Sequence, residues 1–268
     1  AKRYYYTLLF GDKYRVKIAT RNVNIPGIQN FRDLGGYPSY STKKQVRWGM
    51  IYRSAEIDSL ECYSRRELRN LGIKTLIDLR TSSETGRQSP LQKEFNVVHI
   101  PLATGDMENI LKGIREEKIK SDTVYRMVEQ MNRDLIDKYT TEYRQIFDIL
   151  LDKNSYPVVI HCSSGKGRTG IVSALVLAAL GINEDIIMED YRLSNDYFNI
   201  PSASKDAYQL PARSQEAITT LFSAREDFLN AAKEEAECRY GDIDTYLQKG
   251  IGLNKNEIKR LRSILLSD

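Results

Sequence analysis

Cys162 and Arg168 are separated by five residues in a glycine-rich segment, residues 161–170, which reads His-Cys-Ser-Ser-Gly-Lys-Gly-Arg-Thr-Gly. A thiol with an ordinary pKa of about 8.5 is only a few per cent thiolate at neutral pH, so a cysteine nucleophile needs positive potential around it. Backbone N–H groups of a glycine-rich loop can form an anion-binding nest, and the fork of an arginine can hold two oxygens of a phosphate. The pattern therefore predicts that Cys162 attacks a phosphate group that Arg168 holds.

The other residues of this loop are expected to bind the phosphate. They are Ser163, Ser164, Gly165, Lys166, Gly167 and Thr169. We expect Lys166 to face the substrate and Thr169 to donate a hydrogen bond to the sulfur. We expect His161 to lie beneath the loop and hold its backbone. Simple packing remains an alternative for His161, and an ordinary helix-start role remains one for Thr169. A buried structural cysteine is the alternative for Cys162, but it would not require the surrounding glycines and basic residues.

Turnover also needs an acid that protonates the leaving oxygen. Asp106 follows a predicted strand at residues 96–101, on the side of the sheet where the loop lies, and Asp78 ends another predicted strand. Asp106 is the favoured candidate and Asp78 the alternative. A capping or solvated aspartate is the other interpretation of either residue.

Strands and helices predicted around the loop would hold these residues in place. Residues 157–160 are apolar and β-branched and end at His161, while residues 171–180 are apolar nearly all round, as in a buried helix. Further strands are predicted at residues 46–53, 73–79 and 96–101. The sequence therefore predicts an α/β fold with a central, mainly parallel sheet flanked by helices, in which the cysteine lies between a strand and a helix.

Two additions to this fold are predicted. Residues 4–10 and 14–20 are rich in aromatic and β-branched types on either side of Gly11, which indicates an N-terminal β-hairpin appendage within residues 1–24. Residues 106 to about 135 are charged and helix-like, and we expect them to form a lid. The whole chain, residues 1–268, is predicted to be a single phosphatase domain.

Composition excludes several classes of protein. The 40 Lys and Arg residues are scattered among 36 Asp and Glu residues, so nucleic acid is not an expected partner. With His99 and His161 as the two histidines of the chain, neither metal catalysis nor a cofactor is expected. Three cysteines without a C-x-x-C pair do not form a disulfide scaffold.

The apolar runs of the chain are too short for a membrane span or a signal peptide, and no stable membrane insertion is expected. The chain starts at Ala1 rather than at a methionine. Export with a removed signal peptide and a cytoplasmic location both remain open.

The loop resembles the HC-x5-R-T-G signature of the cysteine-dependent protein tyrosine phosphatase superfamily. Further motifs resemble the bacterial tyrosine and lipid phosphatases typified by a mycobacterial secreted enzyme. These motifs are Asn30-Phe31-Arg32-Asp33-Leu34-Gly35-Gly36-Tyr37, Tyr52-Arg53-Ser54, Asp78-Leu79-Arg80, Glu189-Asp190-Tyr191 with Ser194-Asn195, and Arg239-Tyr240-Gly241 with Tyr246-Leu247. The resemblance runs in order from about residue 30 to residue 265.

This resemblance implies hydrolysis of phosphotyrosine or phosphoinositides, or both, through a phosphocysteine intermediate, beneath a helical lid. One position departs from the family, which usually has aspartate just before the loop arginine, where this chain has Gly167. Any acid or orienting role of that aspartate is therefore lost. The resulting run Gly-Lys-Gly-Arg-Thr-Gly looks like the loop of the phosphatase and tensin homologue group, which acts on phosphoinositides. In that group the acid follows the preceding strand, which favours Asp106.

A phosphorylated protein or a phosphoinositide is thus the expected partner. The main alternative function is a catalytically weak phospho-binding module, because of Gly167 and the uncertain acid. Sulfur transfer or arsenate reduction on a similar loop is a weaker alternative.

Overall fold

The computed structural model describes residues 3–11, 13–58, 60–85 and 90–267. A five-stranded sheet lies at the centre of the described chain, in the order β3-β6-β9-β7-β8. Its strands are β3 (Arg32–Asp33), β6 (Ile51–Ser54), β7 (Thr75–Asp78), β8 (Asn96–His99) and β9 (Val158–His161). Outside it, β1 (Tyr5–Phe10) pairs with β2 (Tyr14–Ala19), and β5 (Lys44–Val46) lies between β4 (Pro38–Ser39) and β10 (Leu266–Ser267).

Helices pack against the central sheet and make up most of the remaining chain. The α-helices are α1 (Cys62–Asn70), α2 (Ser82–Thr85), α3 (Met107–Arg115), α4 (Ser121–Lys138), α5 (Thr140–Leu150), α6 (Gly167–Ala179), α7 (Glu184–Arg192), α8 (Ser194–Tyr197), α9 (Ile200–Ala203), α10 (Ala212–Phe222), α11 (Glu226–Tyr240), α12 (Ile243–Thr245) and α13 (Lys255–Leu265). Short 3-10 turns occupy Pro90–Lys93, Lys153–Ser155 and Ala207–Gln209, and a π-helical turn occupies Tyr246–Gly250.

Four strands of the central sheet run parallel, and β3 is antiparallel to β6 at the edge. The register aligns Ser54 and Asp78 with His161, and Asp78 with His99. Because all four parallel strands end at this level, the segments that follow them leave the sheet along one edge. The predicted α/β fold with a central sheet flanked by helices is confirmed.

The central strand β9 is buried along its whole length, as expected for a parallel strand covered on both faces. Val158 and Ile160 pack into a large core that also contains α6 residues such as Leu175. Val159 points the other way, into a smaller core that contains Phe31. Alternate residues of one strand therefore anchor two separate layers, and this fixes the position at which β9 ends.

Helix α6 begins at Gly167, four residues before the apolar run that predicted it. Its first turn contains Arg168 and Thr169, which are buried but polar. Apolar periodicity cannot mark a helical turn that is built from such residues. The chain therefore passes from β9 to α6 through residues 162–166 alone.

The N-terminal strands β1 and β2 pair antiparallel in register from Tyr5 with Ala19 to Phe10 with Tyr14. The segment predicted as a lid contains α3 and α4. In the part of the chain that the structure describes, no helix combines the length and the apolar character needed to cross a membrane.

Candidate active site

Three successive carbonyls of the loop between β9 and α6 accept hydrogen bonds from residues that are not part of the loop. The donor–acceptor pairs are Glu56 N to Ser163 O at 3.2 Å, Asn30 Nδ2 to Ser164 O at 3.1 Å and Arg53 Nη2 to Gly165 O at 2.8 Å. In a trans peptide the carbonyl and the following N–H point in opposite directions. The N–H groups that follow these carbonyls therefore turn toward the inside of the loop, as in an anion-binding nest.

Gly165 is required at its position by space and by conformation. Its φ is +69°, and a Cβ there would lie 2.5 Å from Ala55 N. Gly167 differs, because a Cβ built on it meets nothing within 4 Å. The loop thus needs glycine at residue 165 but has room for a side chain at residue 167.

A buried network behind the loop is centred on Asp190. Arg53 Nη1 lies 2.7 Å and Arg32 Nε 3.3 Å from its two oxygens, and Tyr37 donates to it at 2.9 Å. Burial alone would raise the pKa of Asp190, but Arg32 and Arg53 outweigh it and lower that pKa to about 2. Since Arg53 also holds Gly165 O, this network fixes the loop through a charged group that keeps its charge.

Cys162 follows directly after β9 and is buried, with the start of α6 five residues beyond it. This places the sulfur at the end of a central strand and within the loop whose N–H groups turn inward. A helix start and a nest of N–H groups both favour a negative charge at that place. The arrangement agrees with the expected position of a nucleophile.

Arg168 lies in the first turn of α6 and is held mainly by Glu84. Arg168 Nη1 and Nη2 lie 2.7 and 2.6 Å from the two Glu84 oxygens, and Nη1 also donates to Leu102 O at 3.2 Å. Ser163 Oγ donates to Glu84 at 2.7 Å. Burial lowers the pKa of Arg168, but Glu84 and Cys162 more than compensate and raise it. The guanidinium therefore keeps its charge in a buried place.

Sequence reasoning missed Glu84. Burial would raise its pKa, but Arg168 outweighs this and lowers it to about 2, so the group is a carboxylate at neutral pH. The available signal was an acidic residue six positions after Asp78, in the segment that leaves the active-site edge of the sheet. Nothing local relates that residue to the loop, because the contact with Arg168 spans 84 residues.

Lys166 was expected to face the substrate, but its side chain points elsewhere in the structure. Lys166 is buried, and its Nζ donates to Leu221 O at 2.5 Å and to Ser223 O at 3.0 Å. Both carbonyls lie at the C-terminal end of α10, where helix carbonyls lack intrahelical partners. Burial lowers the pKa of Lys166 to about 7. The ammonium group thus binds the end of a helix instead of the loop interior.

Thr169 and His161 are both fully enclosed. Among the described residues, neither Thr169 Oγ1 nor His161 Nδ1 has a hydrogen-bond partner, so the expected bond from Thr169 to the Cys162 sulfur is not formed in this structure. His161 Nδ1 lies 3.9 Å from Asp78 Oδ1, beyond hydrogen-bond distance. Burial lowers the pKa of His161 to about 4, which leaves the imidazole neutral at physiological pH.

The two acid candidates occupy different surroundings. Asp78 is buried and paired with Arg80, whose Nη2 and Nε lie 2.8 and 3.0 Å from its oxygens. Burial would raise the pKa of Asp78, but the bonds from Arg80 lower it, so this carboxyl group holds no proton to deliver at neutral pH. Asp106 is exposed and caps α3 by accepting from Asn109 N at 3.0 Å. The segment before it approaches the site at Leu102, whose carbonyl accepts from Arg168.

The described residues contain no cluster of three or more His, Cys, Asp or Glu side chains that could hold a metal ion. The groups that the structure brings together at the loop are thus a sulfur, a guanidinium, a carboxylate and backbone N–H groups. These are sufficient for nucleophilic attack on a bound phosphate.

Comparison with known proteins gives one matching family model, two related proteins and one solved structure. The family model described as "Tyrosine phosphatase family" matches residues 23–267. The "Triple specificity protein phosphatase PtpB" of Mycobacterium tuberculosis is 30% identical to this chain, over 90% of the chain and 98% of that protein. A putative tyrosine-protein phosphatase of Cupriavidus necator is 25% identical, over 87% of this chain and 85% of its own length. Among solved structures, Pseudomonas aeruginosa TpbA covers 66% of this chain and 89% of its own, at 15% identity and a TM-score of 0.30.

Proposed function

Because the chain belongs to the tyrosine phosphatase family, we propose that it hydrolyses phosphate monoesters through the Cys162 thiolate, with phosphotyrosine as the first substrate to test. The observation that carries this proposal is the set of three loop carbonyls held outward by Glu56, Asn30 and Arg53. That arrangement directs N–H groups at the space between Cys162 and Arg168. On this proposal the whole chain works as one phosphatase domain.

The proposed reaction has two steps. In the first, the Cys162 sulfur bonds to phosphorus, the bond from phosphorus to the leaving oxygen breaks, and that oxygen takes a proton from the acid. In the second, water attacks phosphorus and gives its proton to the conjugate base of that acid, and the bond from phosphorus to sulfur breaks to release the thiolate and inorganic phosphate. Fixed donors around the equatorial oxygens do most of the work in such in-line transfers.

Arg168 and the loop N–H groups would supply these donors. Glu84 accepts from Nη1 and Nη2, and Nη2 also donates to Ser163 Oγ at 3.3 Å. If the bond to Ser163 is given up when substrate binds, Nε and Nη2 can hold two phosphate oxygens. Glu84 would then act as a positioning residue that sets the plane of the guanidinium. The remaining loop backbone from Ser163 to Gly167, with Thr169 behind it, would surround the phosphate and the sulfur.

Asp106 is the proposed general acid, and α3 and α4 the proposed lid. Support comes from the position of Asp106, which starts α3 four residues after the Leu102 carbonyl that contacts Arg168. In the structure its oxygens bind Asn109, so delivery of a proton requires that this cap opens. A movement of α3 over the loop would open the cap and exclude water together.

The substrate range is a finer proposal. The relative named as a triple specificity phosphatase supports activity on more than one kind of substrate, and phosphoinositides remain candidates beside phosphotyrosine. Lys166 is one of the residues on which the loop resembles that of a group acting on phosphoinositides. In this structure its side chain is turned away from the loop interior, so it gives the phosphoinositide proposal little support. Phosphotyrosine is therefore placed first.

The testing experiment measures phosphate release from a phosphotyrosine peptide and from each phosphoinositide, in chelator. We compare wild type with Cys162→Ser and with Cys238→Ser, a matched change of an exposed cysteine. Turnover should persist in Cys238→Ser and vanish in Cys162→Ser, while phosphate binding survives in both. Residual wild-type-like turnover in Cys162→Ser would remove the thiolate mechanism. Binding without turnover in the wild type would favour the alternative, a phospho-binding module with a weak or absent acid.

A further inference from the structure

One face of the N-terminal hairpin is entirely apolar and uncovered. Antiparallel pairing places Tyr6 opposite Ile18, Leu8 opposite Val16 and Phe10 opposite Tyr14, and all six side chains point to the same side of the two strands. These six residues are between 36% and 69% exposed. Monomeric soluble proteins rarely leave so contiguous an apolar patch to water without a use for it.

The hairpin joins the rest of the chain through its backbone and its other face. Lys17 O accepts from Trp48 Nε1 at 2.9 Å and from Gln45 Nε2 at 3.1 Å. Tyr5, on the other face, lies against the cations Arg3 and Lys17. These contacts fix the hairpin to the body and leave the six side chains of the apolar face exposed. The face is therefore held in one orientation, as a docking element would be.

Charge is concentrated in the same part of the chain. Residues 1–50 contain 10 Lys and Arg against 2 Asp and Glu, whereas residues 51–268 contain 30 against 34. The even scatter of charge expected from the whole composition thus does not hold for the first fifty residues. The exposed cations of this segment include Lys13 in the hairpin turn and Arg15 and Lys17 on the face opposite the apolar one. Lys43 and Lys44, which are also exposed, lie just before Gln45, whose side chain contacts Lys17 O.

We propose that the hairpin docks the chain on an anionic lipid surface, with its apolar face in the headgroup boundary and its cations among anionic headgroups. Tyrosine and basic residues are favoured at this depth of a bilayer, and an apolar face with basic residues on the opposite face and at the turn is the pattern of an interfacial element. A second copy of the chain would suit the apolar face but would bring two strongly basic segments together. Charge complementarity therefore selects lipid over self-association.

The docked chain would have a defined orientation. The hairpin contacts Trp48 and Gly49, just before β6 starts, whereas Cys162 follows the end of the parallel neighbour β9. The hairpin thus lies near the amino ends of the parallel strands, and the loop lies at their carboxyl ends. This inference concerns location and does not depend on the chemistry proposed for Cys162.

The test is sedimentation of the full chain with vesicles of phosphatidylcholine alone or with about 30 mol% phosphatidylserine. Wild type should sediment with the anionic vesicles and detach as salt rises. Loss of one fully buried aromatic contact predicts at least a tenfold weaker partition for Phe10→Asp. Leu9→Asp changes an exposed leucine on the other face and should bind within about twofold of wild type, since it removes no buried apolar area.

A charge variant guards against a misfolded hairpin. Lys13→Glu with Arg15→Glu leaves the apolar face intact and should abolish the preference for anionic vesicles. Turnover of a soluble phosphate ester should match wild type in every variant, which checks folding of the body. Equal loss in Leu9→Asp and Phe10→Asp, no wild-type binding, or equal binding to both vesicles would overturn the proposal. So would a hairpin-dependent dimer that ignores vesicles, because it would identify a second copy as the occupant.

Discussion

The carboxylate of Glu84 and the guanidinium of Arg168 meet end to end, with two hydrogen bonds of 2.7 and 2.6 Å. The end of the guanidinium formed by Nη1 and Nη2 is thereby held by the protein, and Nη2 also donates to Ser163 Oγ at 3.3 Å. The same carboxylate accepts from Ser163 Oγ, so one residue of α2 contacts both ends of the loop.

Removing this carboxylate should weaken catalysis more than binding. We expect Glu84→Ala to reduce kcat/KM by about 100-fold, because a misplaced clamp loses most in the transition state. Glu84→Gln should lose less, since it keeps one acceptor. Steady-state kinetics on a phosphotyrosine peptide measures both, with Glu56→Gln as a control at an exposed side chain near the loop. A rise in activity in Glu84→Ala would instead show that Glu84 competes with phosphate for Arg168.

Two loop glycines should respond oppositely to alanine. Gly165→Ala combines a φ of +69° with a clash against the backbone at Ala55, and should destabilise the fold by about 3 kcal/mol. Gly167→Ala meets open space at the start of α6 and should be neutral or stabilising by up to about 1 kcal/mol. Urea unfolding of both variants gives the comparison. Similar losses in the two would show that the loop conformation differs from the one described.

The open space at Gly167 permits a direct test of the acid. Asp106→Asn should slow phosphoryl transfer by about 100-fold for poor leaving groups and little for good ones. Gly167→Asp fits sterically, and its charge is favoured at the helix start. Introduced into Asp106→Asn, it should recover part of the lost rate.

The measurement for this pair is the rate against leaving-group pKa for a series of aryl phosphates. Gly167→Asn serves as the matched control, because it has the same size but no proton to give. Equal rates for wild type and Asp106→Asn across the series would assign the acid to another group.

The buried His161 should make the fold sensitive to mild acid. Its pKa is about 4 in the fold against an ordinary 6.5, so between these values the unfolded chain binds more protons. Stability should therefore fall as pH drops from about 6.5 to 4, by up to about 3 kcal/mol from this group. The carboxylates of Asp190 and Glu84, with pKa values of about 2 in the fold, lose their contribution as pH falls from about 4 to about 2, mostly below this range.

Urea unfolding at a series of pH values would measure how steeply the free energy of unfolding changes with pH. The chains compared are wild type, His161→Asn and the exposed-histidine control His99→Asn. The slope should flatten in His161→Asn and persist in His99→Asn. An unchanged slope in His161→Asn would assign the acid sensitivity to other groups.

Sequence alone predicted the parts of the site that are local. The strand before Cys162, the glycines and the helix whose first turn contains Arg168 follow one another along the chain, so hydrophobic pattern and backbone chemistry were enough to predict their order. The sheet followed from the same short apolar runs. A local pattern cannot reveal partners that the fold brings from far away, and this explains the misses.

Three sets of contacts were not predicted for that reason. Glu84 reaches Arg168 across 84 residues, and Asp190 reaches Arg32 across 158. Lys166 was expected to face the substrate, but its buried ammonium group donates to the carbonyls of Leu221 and Ser223 at the end of α10. Each of these contacts depends on which helices and strands lie close together in the fold, and the spacing of residues along the sequence does not give that information.

The burial of the Lys166 side chain against the end of α10 affects how this protein can distinguish one phosphate ester from another. Of the loop residues 162–168, Arg168 alone directs a cationic side chain at the nest. On the proposed mechanism, such a loop would bind one phosphate group whatever molecule bears it. Discrimination between a phenyl ester and an inositol ester would then depend on segments outside the loop, such as those that carry Glu84 and Asp106. Substrate range and catalytic chemistry would thus be set by different parts of the chain.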